Sequence, residues 1–156
     1  MEEKNKKGRG CGCGCEASQK IVKTKKGYIV NIEEVTKKNE NFRKVLYTGE
    51  NSQLVVMSLS LGEDIGEEVH FLDQFIRIEE GRGEAILNGI KYVIEDDFAI
   101  IIPAGVKHNI VNTSAQKKLK LYSIYSPAEH KDGTMHVTKK EALSDKKGHF
   151  DGKTTE

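Results

Sequence analysis

Glu84-Ala85-Ile86-Leu87-Asn88-Gly89-Ile90-Lys91-Tyr92-Val93 is the stretch on which the fold turns. Two short runs carrying Ile, Val and Tyr flank the dipeptide Asn88-Gly89, and both residues of that dipeptide tolerate the positive φ of a two-residue hairpin turn. The stretch reads as a β-hairpin. Outward from it, apolar runs of the same kind recur on both sides, broken roughly every 8 to 12 residues by Gly, Asn or charged clusters. They predict strands at Tyr28 to Ile32, Val45 to Thr48, Gln53 to Leu61, Glu67 to Phe71, Gln74 to Glu79, Glu84 to Leu87, Ile90 to Ile94, Ala99 to Ile102, His108 to Asn112 and Leu119 to Tyr125. No long stretch competes as an amphipathic helix, and no repeat of solenoid or propeller period is present. The expected fold is all-β, a sandwich or barrel.

The two ends differ from this body. Residues 1 to 26 form a basic, Cys/Gly-rich segment, 139 to 156 a charged one with few apolar anchors, and the barrel is expected between them, over 27 to 138. Both ends read as flexible tails. In 156 residues, 25 Lys and Arg against 24 Asp and Glu give a net charge of +1, which removes the basic footprint of a nucleic-acid binder. Residues 1 to 26 hold eight Lys/Arg and three Asp/Glu, a charge of +5, so residues 27 to 156 sum to -4. No run approaches the ~18 apolar residues of a membrane span, and the basic start lacks the apolar stretch of a secretory signal, so a cytoplasmic location away from membranes is expected. All three cysteines, Cys11, Cys13 and Cys15, lie in the first segment, which excludes a disulfide-stapled body. Their i, i+2 spacing is poor for mutual disulfides and one thiolate short of a tetrahedral zinc site. These thiols beside Lys6, Lys7 and Arg9 suit a soft ion or oxidative cross-linking, or are simply a solvated tail.

Glu68-Val69-His70 sets two metal-competent side chains at i and i+2, which share a face if the segment is extended. Gln74 follows, and Pro103-Ala104-Gly105-Val106-Lys107-His108 delivers a second imidazole at a tight turn. Taken together, Gly62, Glu68, His70, Gln74 and Gly81, then Asp97, Pro103, Gly105, His108 and Asn112, stand at the spacings of the two cupin motifs, with seven of the ten positions identical. The chain resembles the cupin superfamily from about Gln53 to Tyr125, and within it the small single-domain bacterial cupins called phosphomannose isomerase-like. The resemblance implies a double-stranded β-helix, or jelly-roll barrel, and a metal quartet of Glu68, His70, Gln74 and His108. Glu68 replaces the usual first His, Gln74 the usual Glu and Asp97 a turn Gly. The first two exchanges keep an oxygen donor. Two imidazoles, one carboxylate and one amide suit Mn, Fe, Ni, Co or Zn better than Ca or Mg, which favour all-oxygen shells. Other roles stay open: Glu68 as a general base, Gln74 as a wall residue, or a cup that binds no ion.

Alternation places Arg77 and Glu79 outside if Gln74 points in, and makes Asp73 a turn cap. Inward members of Val55 to Leu59, with Ile76, Ile78, Ile100 and Ile102, predict a mostly apolar cup for a small-molecule ligand. The segment from Tyr125 to His136 resembles the extension such cupins carry after the barrel, and would bring His130 or His136 over the mouth as acid or base, or pack on a neighbouring subunit. A homodimer is expected, with Phe42, Val45 and Tyr47 as a candidate patch. Three functions are compatible with these residues. One is a metal-dependent isomerase or lyase acting on a sugar, a sugar phosphate or a similar oxygen-rich metabolite, the metal polarising a carbonyl or enediolate oxygen. The others are a metal-dependent dioxygenase and a non-catalytic binding cup with an interaction tail.

Overall fold

A computed structural model describes residues 24–156, so the cysteine segment lies outside the described residues. The strands are β1 (Arg43–Thr48), β2 (Gln53–Leu59), β3 (Asp73–Glu80), β4 (Arg82–Leu87), β5 (Ile90–Glu95), β6 (Ala99–Ile102), β7 (His108–Asn112), β8 (Leu119–Ser126) and β9 (Met135–His136), with helices α1 (Ile32–Lys38) and α2 (Lys139–Ser144). They form a six-stranded sheet ordered β6-β3-β8-β2-β1-β9 and a three-stranded sheet ordered β5-β4-β7, with antiparallel pairing throughout. The decisive hairpin is β4-β5: Leu87 faces Ile90, and Asn88 and Gly89 take φ of 49° and 82°.

The period-2 pattern of the strands builds the core. Val55, Met57 and Leu59 of β2, Ile76 and Ile78 of β3, Ile100 and Ile102 of β6 and Leu119 and Leu121 of β8 join Ala85, Ile94 and Ile110 from the smaller sheet. Burying each of the larger side chains is worth roughly 1.5–3 kcal/mol, which is what holds the two sheets face to face. Gln74, on the same face of β3 as Ile76 and Ile78, is buried with them. Arg77 and Glu79 face the other way, where Arg77 Nε lies 3.2 Å from a Glu79 carboxylate oxygen.

Three local expectations fail for identifiable reasons. Tyr28 to Ile32 makes no strand: Tyr28 stacks on Tyr47 at 5.7 Å and Ile29 is fully exposed. The chain turns instead into α1, where Asn31 Oδ1 accepts from the Glu34 N–H and Glu33–Lys37 and Glu34–Lys38 pair at i, i+4. With Thr36 its one buried residue, α1 leaves no apolar period in the sequence. Glu67 to Phe71 is extended but carries only a single bridge, Glu68 to His108. Phe42 and Val45, offered as a dimer patch, belong to this chain's own core.

The charged C-terminal end is not loose. β9 pairs with β1, and α2 starts with a capping box in which Thr138 and Glu141 satisfy each other's backbone N–H. Beyond α2, the Phe150 N–H donates to Glu129 O, the Thr155 N–H to Thr48 O at 2.9 Å, and the Thr48 N–H to Thr155 Oγ1 at 2.8 Å. The buried Gln53 amide donates to His130 O at 2.6 Å and accepts from the His130 N–H at 2.9 Å, as a strand neighbour would. Residues 127–156 thus form a strap across one end of the barrel.

Asp97, at the place of a turn glycine, has a φ of 72°, and its carboxylate takes a 2.7 Å hydrogen bond from Arg77. Asp tolerates this left-handed conformation better than most residues, at a cost of order 1 kcal/mol. Asp97→Gly is expected to match or exceed wild-type stability in urea melts. Asp97→Val should lose about 1–2 kcal/mol because a β-branched side chain fits that conformation poorly.

Candidate metal centre

The segment carrying Glu68 and His70 is stitched to β7 by backbone. Glu68 N–H donates to His108 O and His108 N–H to Glu68 O, each at 2.9 Å, and Gly105 N–H donates to His70 O at 2.8 Å. Asp73 accepts from the Ala104 N–H at 2.9 Å, which ties the start of β3 to the Pro103 turn. Asn112 is a structural peg whose side-chain NH2 reaches the carbonyls of Leu59, Ser60 and Lys117. The result is a cluster of Glu68, His70 and His108 with one potential ligand atom each, all within 4.8 Å of one another. Ligands about 2.0–2.3 Å from a common tetrahedral ion stand roughly 3.3–3.8 Å apart, so a small closing of these side chains would bring all three onto one ion.

His108 fits a metal best. Its Nδ1–H donates to Val106 O at 2.9 Å, which puts the lone pair on Nε2, and that Nε2 is buried with no partner. Burial lowers its pKa, keeping the ring neutral. Gln74 shows the same signature: its amide N–H donates to Ser123 Oγ at 2.9 Å, and Oε1 is buried and unpartnered. His70 Nε2 lies 3.1 Å from Glu68 Oε2. Burial works against both charges of this pair, yet the mutual hydrogen bond prevails, so the Glu68 pKa is lowered and the His70 pKa raised. The carboxylate and two imidazoles of the cluster suit a borderline divalent ion such as Mn, Fe, Ni, Co or Zn. Such an ion would take over the contact that His70 and Glu68 now make with each other.

Beside Glu68 and His70 opens a cavity of about 280 Å³ whose other walls include Arg43, Glu129, His130, His136, Asp145 and His149. All five histidines of the chain gather at this end of the barrel. The sequence predicts an apolar cup, but most of the inward Ile, Val and Leu side chains fill the barrel interior, and the space beside Glu68 and His70 lies between the barrel rim and the strap. His136 Nε2–H donates to Asp145 at 3.0 Å, and its Nδ1 is buried and unpartnered. His130 packs edge-on against Tyr125 at 5.1 Å, with Nε2 also buried and unpartnered. Desolvation, then the positive charges of Arg43 and the neighbouring imidazoles, push its pKa down to about 2, so His130 stays neutral. Glu129 lies 3.1 Å from His149 Nδ1 and 3.7 Å from His70 Nδ1. Burial raises the pKa of Tyr125, whose ring meets His70 edge-on at 5.8 Å. Arg43, Glu129, Asp145 and His149 carry no local sequence signal of a site, because the last three reach it only through the strap and Arg43 faces it only through the pairing of β1 with β9.

The cupin-domain family model matches residues 55–125, the span from β2 to β8. Protein YrkC of Bacillus subtilis (strain 168), described as uncharacterized, is 47% identical over 126 residues, 76% of this chain and 67% of that protein. The uncharacterized protein L612 of Acanthamoeba polyphaga mimivirus is 46% identical over 114 residues, 70% of this chain and 71% of that one. Among solved structures, BH2720 from Bacillus halodurans superposes with a TM-score of 0.74 at 47% identity, over 76% of this chain and 95% of that one.

Proposed function

Since this chain belongs to the cupin family, we propose that Glu68, His70, Gln74 and His108 hold a divalent transition metal and that the centre isomerises a small oxygen-rich metabolite by proton transfer. The observation that carries the reading is the unpartnered, neutral Nε2 of His108 inside a three-residue donor cluster. Bound there, the ion would polarise a carbonyl oxygen of the substrate. His136 is the better base of the two strap imidazoles. Asp145 holds its Nε2–H and leaves the Nδ1 lone pair free, and the imidazolium formed on proton uptake keeps that carboxylate as its partner. His130, whose protonated form is so unfavourable, serves as a neutral hydrogen-bond partner.

The test incubates full-length protein, its metal content measured, with D-mannose 6-phosphate, D-glyceraldehyde and D-glucuronate in D2O. Deuterium is expected at the carbon beside the carbonyl of at least one of them, and is lost on chelation and in His136→Gln. No exchange by metal-loaded protein would sink the isomerase reading in favour of a binding cup. Oxygen consumption in its place would favour a dioxygenase.

A further inference from the structure

Arg43 is a buried cation without an adequate partner. It is 7% exposed, and among the described residues its guanidinium, with five N–H donors, makes no hydrogen bond. Its one ion-pair contact there is Glu68 Oε1, 3.7 Å from an Nη, beyond hydrogen-bond reach, and its Nε is buried and unpartnered. The Phe42 ring face, 5.5 Å from Cζ, covers the group without accepting from it conventionally. A guanidinium held this way is costly unless something in the adjoining space completes it. The space is the cavity under the strap, where Arg43 stands opposite His136 in the β1-β9 pair and shares the wall with His130.

Glu68 cannot fill that need once its charge is committed to a metal. Glu129 lies against His149 and His70, and Asp145 against His136. We propose that the cavity is a carboxylate subsite, in which Arg43 and His130 hold the carboxylate of a small hydroxy or oxo acid while its neighbouring oxygen reaches the Glu68/His70/His108 centre. The proposal rests on the metal reading above and narrows its substrate class. A planar two-oxygen anion matches the guanidinium fork. A phosphate, with a charge near -1.5 to -2, would meet Glu68, Glu129 and Asp145 in the same walls, and a single negative charge is better tolerated.

Lactate, its uncharged isostere lactamide and inorganic phosphate are titrated calorimetrically into full-length wild-type protein, Arg43→Met, Arg43→Lys and His108→Ala, with metal measured in every sample. Wild type is expected to prefer lactate over lactamide by about tenfold or more. Arg43→Met should lose that preference while keeping lactamide binding, and Arg43→Lys, the variant closest to the native charge and packing, should keep only part of it. His108→Ala should weaken both ligands while still preferring lactate. An unchanged preference in both Arg43 variants, phosphate binding tighter than lactate, or no binding of any of the three would overturn the subsite. Absence of metal in wild type with an Arg43-dependent lactate preference would instead remove the metal reading and leave the subsite standing.

Discussion

His108→Ala should bring the metal content of the protein down more than about tenfold relative to wild type, measured by elemental analysis with Cys11, Cys13 and Cys15 changed to Ser so that only the barrel is counted. The side chain removed is one whose Nδ1–H is already committed to Val106 O and whose Nε2 has no protein partner to lose. What disappears is therefore a donor to the ion, along with modest packing. His70→Ala should give the same loss, whereas Gln74→Leu should weaken retention less, because an amide oxygen is the poorest donor of the set. Added metal should raise the melting temperature of wild type and leave that of His108→Ala unmoved, since a ligand stabilises only the form that binds it; at 100 times Kd the gain is about 2.7 kcal/mol. Equal metal in wild type and His108→Ala would place the ion elsewhere.

Gly83→Ala should be among the most destabilising single-methyl additions in the chain, costing about 3 kcal/mol or preventing folding altogether. Gly83 pairs with Asn112 across the β4-β7 ladder, and a Cβ built there would lie 2.2 Å from Val111 O and 3.2 Å from Leu119 Cδ2. The nearest obstacle is backbone, so no rotamer change relieves it, and β4 and β7 would have to separate. Because β7 begins at His108 and returns both bridge hydrogen bonds to Glu68, the same displacement should also lower metal retention in whatever protein folds. Urea melts combined with metal analysis read both effects. A loss under about 1 kcal/mol would mean the strands can part cheaply.

Much of the candidate site was legible because its residues stand at fixed spacings on elements with strong local signals. Asn88-Gly89 names its own turn, and the alternation along β3 carries Gln74 inward with Ile76 and Ile78. Glu68 and His70 meet even though their segment is not a strand, since extended backbone with a single bridge keeps i and i+2 close enough for a 3.1 Å contact. α1 escaped notice because its stability comes from caps, charge pairs and one buried threonine. The strap escaped for a different reason. Lys139 to Glu156 has few apolar anchors, and its order rests on backbone hydrogen bonds, a capping box and partners as remote as Thr48 and Glu129.

The amino-acid sequence by itself determined the hairpin, most of the strands and the candidate cluster Glu68, His70 and His108. Turn chemistry, side-chain period and motif spacing are local properties, readable a few residues at a time. Only the tertiary structure decided that the space beside the cluster is lined by charged and imidazole side chains, that His136 is backed by Asp145, and that Arg43 is buried without a hydrogen bond among the described residues. Whether a buried charge is satisfied depends on which distant segments close around it. Here a segment beginning more than eighty residues after Arg43 does the enclosing, and no local pattern encodes that closure.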